Sequence, residues 1–253
     1  MNRQIELLVE RAIEGEEFAI NGLEVIRKNK DIEEWLNVAN AYYRKENYSE
    51  AIKWFSLAAE QGSGTAALYL GDIYGDKENY SEAAKWYLFA AERGEHLAQF
   101  SLGAFYGEGL GVEQDFVEAV KWYRLAAESG YWPAHFNLAI AYQRGDGVKR
   151  DYTEALHWFR LPAKMANAKA QCYIGEYYYW GVEGIPQDYA EAVKWFRQAA
   201  KLGNAVGRYW LGRCYSQGKG VKVDRTEAAK WYRLAAEQGL AEAIKALKEL
   251  DKE

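Results

Sequence analysis

Long apolar runs are missing from this chain. Nothing in its 253 residues approaches the ~20 consecutive apolar residues that a membrane-spanning helix requires. The start, Met1-Asn2-Arg3-Gln4-Ile5-Glu6, lacks the apolar stretch behind a basic segment that marks a secretory signal. Cysteine is nearly absent: Cys172 and Cys214 alone suit a reducing compartment, not a disulfide framework. With 37 acidic against 32 basic residues the net charge is -5, and no concentrated basic face is available for nucleic acid. Prolines number three, and no Pro- or Ser-rich linker divides the chain, which reads as one continuous domain over 1–253. These absences predict a cytoplasmic protein with no membrane span and no nucleic-acid partner.

Catalytic chemistry is equally short of material. His96, His135 and His157 are scattered, and none has metal-ligand spacing with Cys172 or Cys214. No nucleophile–base set or carboxylate pair stands out, so no enzyme, metal or cofactor is expected.

What is abundant is aromatic: ten Trp and twenty Tyr. Six of the tryptophans, Trp54, Trp86, Trp122, Trp158, Trp195 and Trp231, lie in one recurring phrase, Lys/His-Trp-Phe/Tyr. A fixed period of a few tens of residues is the signature of a solenoid or array, each unit burying its apolar face against the next. The second half of a unit is clearest from Asp115 to Gly130. Ala119, Trp122, Tyr123, Ala126 and Ala127 form one helical stripe, Asp115 sits at the N-cap and Gly130 at the left-handed stop. A shorter first helix, about 97–106, precedes it. Between the two lies Gly107-Glu108-Gly109-Leu110-Gly111-Val112, with related loops at 144–148, 180–185 and 217–221. No strand precedes these glycines and no Gly-Lys-Ser/Thr follows, so they predict turns with φ > 0, not phosphate cradles.

The phrase Ala98-Gln99-Phe100-x-Leu102-Gly103-x-x-Tyr106, the Gly-rich loop and then Asp115-x-x-Glu118-Ala119-Val120-Lys121-Trp122-Tyr123-Arg124 together resemble the Sel-one-like repeat of the tetratricopeptide-like superfamily. The resemblance covers roughly residues 64–239. It implies an all-α fold, a right-handed α-solenoid of tandem helix-turn-helix units. Units 31–62 and 64–94 lack the glycine insertion and look like plain tetratricopeptide units, whereas 96–239 holds four Sel-one-like units. Helices at about 2–13 and 16–28 within 1–30, the second carrying Phe18, Ile20, Leu23, Val25 and Ile26, are expected to cap the N-terminus. A helix in 240–253 is expected to cap the C-terminus; capping calls for polar outer faces. One unit departs: Pro162 stands inside its second helix, where it would clash with the carbonyl of Trp158, and its stop glycine is missing. A bend or tightening is expected there.

In such solenoids the first helices line a concave groove that holds a polypeptide, and the resemblance implies that use here, as an adaptor or regulator without enzymatic activity. Aligning the units on their Leu-Gly pairs gives the outward positions: Asn37, Tyr69, Asn137, Tyr173 and Trp210 before the pair, and Asn40, Asp72, Glu176 and Arg213 after it. Arg44, Arg144 and Trp180 follow one turn on. Trp, Tyr and Arg dominate binding hot spots, and they gather in the last two units, with Trp180 and Trp210 foremost. Trp210 and Tyr173 are therefore expected to be removable without loss of stability. Some relatives carry a carboxylate clamp, of which Asn37, Asn40 and Arg44 would supply only a part. Two further readings stay open: a bacterial immunity protein sequestering a cytoplasm-acting toxin, and a carbohydrate or peptidoglycan binder using the aromatic groove. The protein is expected to be a monomer or weak oligomer.

Overall fold

A computed structural model describes residues 3–250. Among these, regular structure is helical throughout apart from a single bridge pairing Val182 with Ile185. Packing divides the chain into two compact units, 1–131 and 132–253. In the first, α1 (Arg3–Ile13) pairs with α2 (Glu17–Asn29), and α3 (Ile32–Arg44) with α4 (Tyr48–Glu60). There too α5 (Gly64–Asp76) pairs with α6 (Tyr80–Ala91), and α7 (His96–Glu108) with α8 (Phe116–Glu128). In the second, α9 (Trp132–Arg144) pairs with α10 (Tyr152–Lys164), and α11 (Ala168–Trp180) with α12 (Tyr189–Lys201). Then α13 (Ala205–Gln217) pairs with α14 (Arg225–Ala236), and α15 (Ala241–Leu250) packs on α14. The fold class is thus the expected all-α solenoid of tandem helical hairpins. The outermost residues expected in the terminal helices, Asn2 and 251–252, lie outside the described residues.

Local chemistry sets each hairpin. Asp115 accepts hydrogen bonds from the amides of Val117 (2.9 Å) and Glu118 (3.1 Å), filling two of the donors that a helix start leaves free. Asp151 likewise accepts from two amides, and Asn47, Asn79, Asn167, Asp188, Asn204 and Asp224 from one each at the starts of their helices. At the other end Gly130 takes φ +87° as the sequence predicts. Buried Gln99 and Gln171 donate to the carbonyls of Ala91 (3.2 Å) and Ala163 (2.9 Å), tying a first helix to the end of the preceding second helix.

Burial refines the reading of the Trp phrase. In five of the six units the ring after the tryptophan is the more deeply buried, with Phe55, Phe159 and Phe196 fully enclosed; in α8 Trp122 is buried and Tyr123 half-buried. Trp54 and Trp122 are buried, while Trp86, Trp195 and Trp231 are half-buried. The glycine of the Leu-Gly pair exists for these rings. A Cβ at Gly175 would meet the Phe196 ring at 2.5 Å, and one at Gly71 the Tyr87 ring at 2.6 Å. The Lys of the phrase lies outside, bonded to the Glu three residues earlier, as in Lys121–Glu118 at 3.0 Å. Exposed pairs of that kind contribute only a few tenths of a kcal/mol.

The Gly-rich loops serve the stacking of units. A Cβ on Gly111, at φ +67°, would fall on the backbone of Tyr80, and one on Gly220, at φ +73°, on the carbonyl of Tyr189. Each loop thereby lies directly on the start of the previous unit's second helix.

One expectation is corrected. The α1–α2 pair is not wholly polar outside: Phe18 is 78% exposed, and Leu7, Ile20 and Val25 are also exposed. Of the apolar residues of α2, Leu23 is buried and Ile26 half-buried. At Pro162, α10 runs on to Lys164, because the proline lies in the last turn and deletes one late hydrogen bond. The stop also survives without glycine, since Ala166 itself takes φ +61°. A left-handed alanine costs about 1–2 kcal/mol. Ala166→Gly is therefore expected to raise stability by about 1 kcal/mol in chemical denaturation, and an unchanged or lowered midpoint would contradict this reading.

Candidate functional site

The candidate residues divide into those absorbed by packing and those left to solvent. In unit 1–131, Tyr69 lies flat on Phe55 (4.9 Å between centroids, 10° between planes). Asp72 accepts the Tyr87 hydroxyl at 2.8 Å, and burial raises its carboxyl above the usual range. Arg44 is bonded to Glu6 of α1 at 2.8 Å. Asn37 and Asn40 are half-buried on α3. These positions serve first as contacts within the fold.

Unit 132–253 shows the same stack twice more. Tyr173 lies on Phe159 at 5.0 Å and 12°, and Trp210 on Phe196 at 5.5 Å and 7°. Trp210 is 8% exposed, and its indole donates to Glu176 at 2.9 Å. Tyr173 and Trp210 are therefore scaffold, which corrects the expectation that they can be removed without loss of stability. Where the phrase ends in Tyr, its hydroxyl takes the place of the stack: Tyr87 donates to Asp72 beside Ser101. Burial raises the carboxyl of Glu176, opposed by the Trp210 bond. Asn137 is half-buried and Arg144 exposed, both on α9.

Trp180 differs from these. It closes α11 and is 52% exposed. Its ring stands edge-on to Tyr179 (4.9 Å, 81°) and to Trp210 (5.8 Å, 85°). Gln187 fixes the underlying backbone through the Tyr179 carbonyl at 2.9 Å. The Arg213 guanidinium lies 5.3 Å from the Trp180 ring, 5.0 Å from Trp210 and 5.7 Å from Tyr179. The Lys219 ammonium lies 4.8 Å from the ring of Tyr179 and 5.0 Å from that of Tyr189. Tyr179 itself is fully buried and bonded to Gln217 at 2.9 Å. The result is a rigid aromatic floor with one open indole and two cations above it.

The structure thus brings Trp180, Trp210, Arg213 and Glu176 together, and adds Lys219, which the aligned helical positions could not reveal because it lies in the loop after α13. Its signal in the sequence is a lysine between the two glycines of Gly218-Lys219-Gly220. Cys172 and Cys214 are both free and buried, and burial pushes each thiol up to about 12. Among the described residues no group of His, Cys, Asp and Glu is arranged to hold a metal ion, and no helix is long and apolar enough to cross a membrane.

The chain is similar over 96% of its length to c5321, a protective antigen of uropathogenic Escherichia coli strains displaying an SLR fold, at 32% identity and a TM-score of 0.83. It spans 55% of that longer chain. It is also similar to a Sel1 repeat protein from Oxalobacter formigenes, at 32% identity and a TM-score of 0.79, covering 86% of this chain and 91% of that one. Likeness to the immunity protein Pa5087 of Pseudomonas aeruginosa, over 79% of this chain and 81% of that one, is 18% identity at a TM-score of 0.43 and carries no functional weight. A comparison with curated proteins finds no match. The Sel1 repeat model matches residues 40–63, 64–95, 96–131, 132–167, 168–204 and 205–240, so the short units read as plain tetratricopeptide units fall within it too. By those six matched repeats, the chain belongs to the Sel1 repeat family.

Proposed function

We propose that this chain is a non-enzymatic interaction module whose polypeptide partner lies against the first helices of residues 132–253, anchored on Trp180. The observation that carries the reading is an indole more than half exposed on a floor of packed rings, beneath the Arg213 guanidinium. An aromatic held rigid before binding loses little conformational freedom when it docks, and Trp and Arg are the residue types that concentrate binding energy. Arg144 and Arg213 extend the surface along α9 and α13. Partner class, adaptor or toxin-sequestering, follows from the identity of the polypeptide.

Affinity capture from the native host with the wild type and Trp180→Ala tests this. The variant is expected to melt as the wild type does, to within about 1 kcal/mol for a partly exposed side chain, and to lose the captured protein. Undiminished capture by Trp180→Ala would contradict the reading. A saturable shift of intrinsic fluorescence with glycans, and no protein captured, would replace it with carbohydrate binding.

A further inference from the structure

The first helices of the two units carry opposite charge. In 1–131, α3, α5 and α7 bear Glu33, Glu34, Asp72, Asp76 and Glu108 against Arg44. In 132–253, α9, α11 and α13 bear Arg144, Lys169, Arg208 and Arg213 against Glu176 alone. This reversal is unexpected in a chain of net charge -5. The second helices of 132–253 are basic as well, with Arg160, Lys164, Arg197, Lys201 and Arg233 beyond the lysine of the repeated phrase, which is matched by a glutamate at 2.6–3.2 Å in both units.

The cations around Trp180 are of another kind. Arg213 and Lys219 approach the Tyr179 ring at 5.7 and 4.8 Å, and no carboxylate lies within ion-pair distance of either among the described residues. Glu176, the single acid on these helices, is already engaged by the indole of Trp210. Arg213 is therefore held among aromatic rings, and Lys219 by hydrogen bonds to the Tyr179 and Tyr189 hydroxyls as well as their rings, neither by a counter-ion. Ring contacts of this type are worth about 0.5–1 kcal/mol at exposed sites and leave the outer N–H groups of Arg213 available, while an ammonium has a third donor beyond the two that Lys219 gives to tyrosine hydroxyls.

We infer that the partner segment seated here is acidic, with carboxylates meeting Arg213 and Lys219 on either side of an aromatic or apolar residue packed on Trp180. This rests on the preceding proposal that the face binds polypeptide. Carboxylates offer the bidentate geometry an arginine fork prefers, and opposite charge accelerates encounter in a salt-dependent way. A basic segment would meet like charge at both cations.

The test uses the full chain and three fluorescein-labelled random copolymers: glutamate–tyrosine, glutamate alone and lysine–tyrosine. Anisotropy titrations are run against the wild type, Trp180→Ala, Arg213→Glu/Lys219→Glu, the milder Arg213→Gln/Lys219→Gln, and Lys53→Glu/Lys85→Glu as a control on the second helices. Circular dichroism verifies that each is folded. The glutamate–tyrosine copolymer is expected to bind saturably, more tightly than polyglutamate, and to weaken as salt is added. Affinity is expected to fall at least tenfold in the Arg213/Lys219 variants and in Trp180→Ala, with the control unchanged. Equal binding by wild type and the Arg213/Lys219 variants, or none by wild type, would overturn the inference. If the lysine–tyrosine copolymer binds instead and Trp180→Ala abolishes that, the polypeptide face stands and its acidic preference falls.

Discussion

Replacing Gly220 by alanine is expected to lower stability by roughly 3–5 kcal/mol, a size reserved for a few named mechanisms. Two of them act together. The residue holds φ +73°, which an L side chain tolerates at a cost of about 1–2 kcal/mol. In addition the new methyl would occupy the place of the Tyr189 carbonyl at the start of α12, so loop and helix must part. Gly239→Ala separates the two terms. Gly239 has φ +82° with nothing within 4 Å of where a Cβ would sit, so it should show the conformational cost alone. Thermal melts of the two variants check this, and equal losses would show that the loop–helix contact does not matter. Because solenoids unfold by neighbouring units, a separate early transition in Gly220→Ala is an equally informative outcome.

Trp210→Ala is expected to cost about 3–5 kcal/mol as a large-to-small core change. The substitution removes the stack on Phe196, takes from Trp180 one of its two edge contacts, and strips Glu176 of its donor. Leaving a buried acceptor unpaired adds its own penalty. Trp210→Phe isolates that last term through pH. Burial raises the Glu176 carboxyl above its unfolded value, and the indole bond opposes that rise, so losing the bond raises it further. A raised folded-state value favours the protonated carboxyl. Its contribution to stability is present below the unfolded pKa and is lost as pH rises through the folded one. Trp210→Phe should therefore lose more stability at neutral pH than in mild acid, in denaturant titrations at the two pH values. A loss independent of pH would assign the whole effect to packing.

The architecture was legible because it is repeated: the Trp phrase, the caps and the stop glycines each occur several times, and each repetition confirms the period. The site was only half legible. Trp180 stands where other units place Arg44, Asp76, Glu108, Arg144 and Gln217, so an aromatic there has no repeated core role to fill. Trp210 misled because it occupies a variable position, yet that variation follows a packing rule. Phe55, Phe159 and Phe196 are each followed by an aromatic fourteen residues on, Tyr69, Tyr173 and Trp210, whereas Tyr87 and Tyr123 are followed by Ser101 and Asn137. A ring without a hydroxyl accepts a stacked neighbour, and a tyrosine needs a small or polar one. That covariation lies in the sequence but acquires a cause only when the stacking distances are known. Ala166 was hidden for a different reason, since a left-handed alanine has no compositional signal.

The division between scaffold and contact tryptophans is the central claim, and indole nitrogen–proton NMR tests it directly. The ten tryptophans give at most ten indole signals, and that of Trp180 is assigned by its loss in Trp180→Phe. On titration with the captured partner, the signals of Trp180 and its neighbour Trp210 should shift while those of Trp54 and Trp122 stay. A Trp180 signal that does not move while the partner is bound would contradict the account.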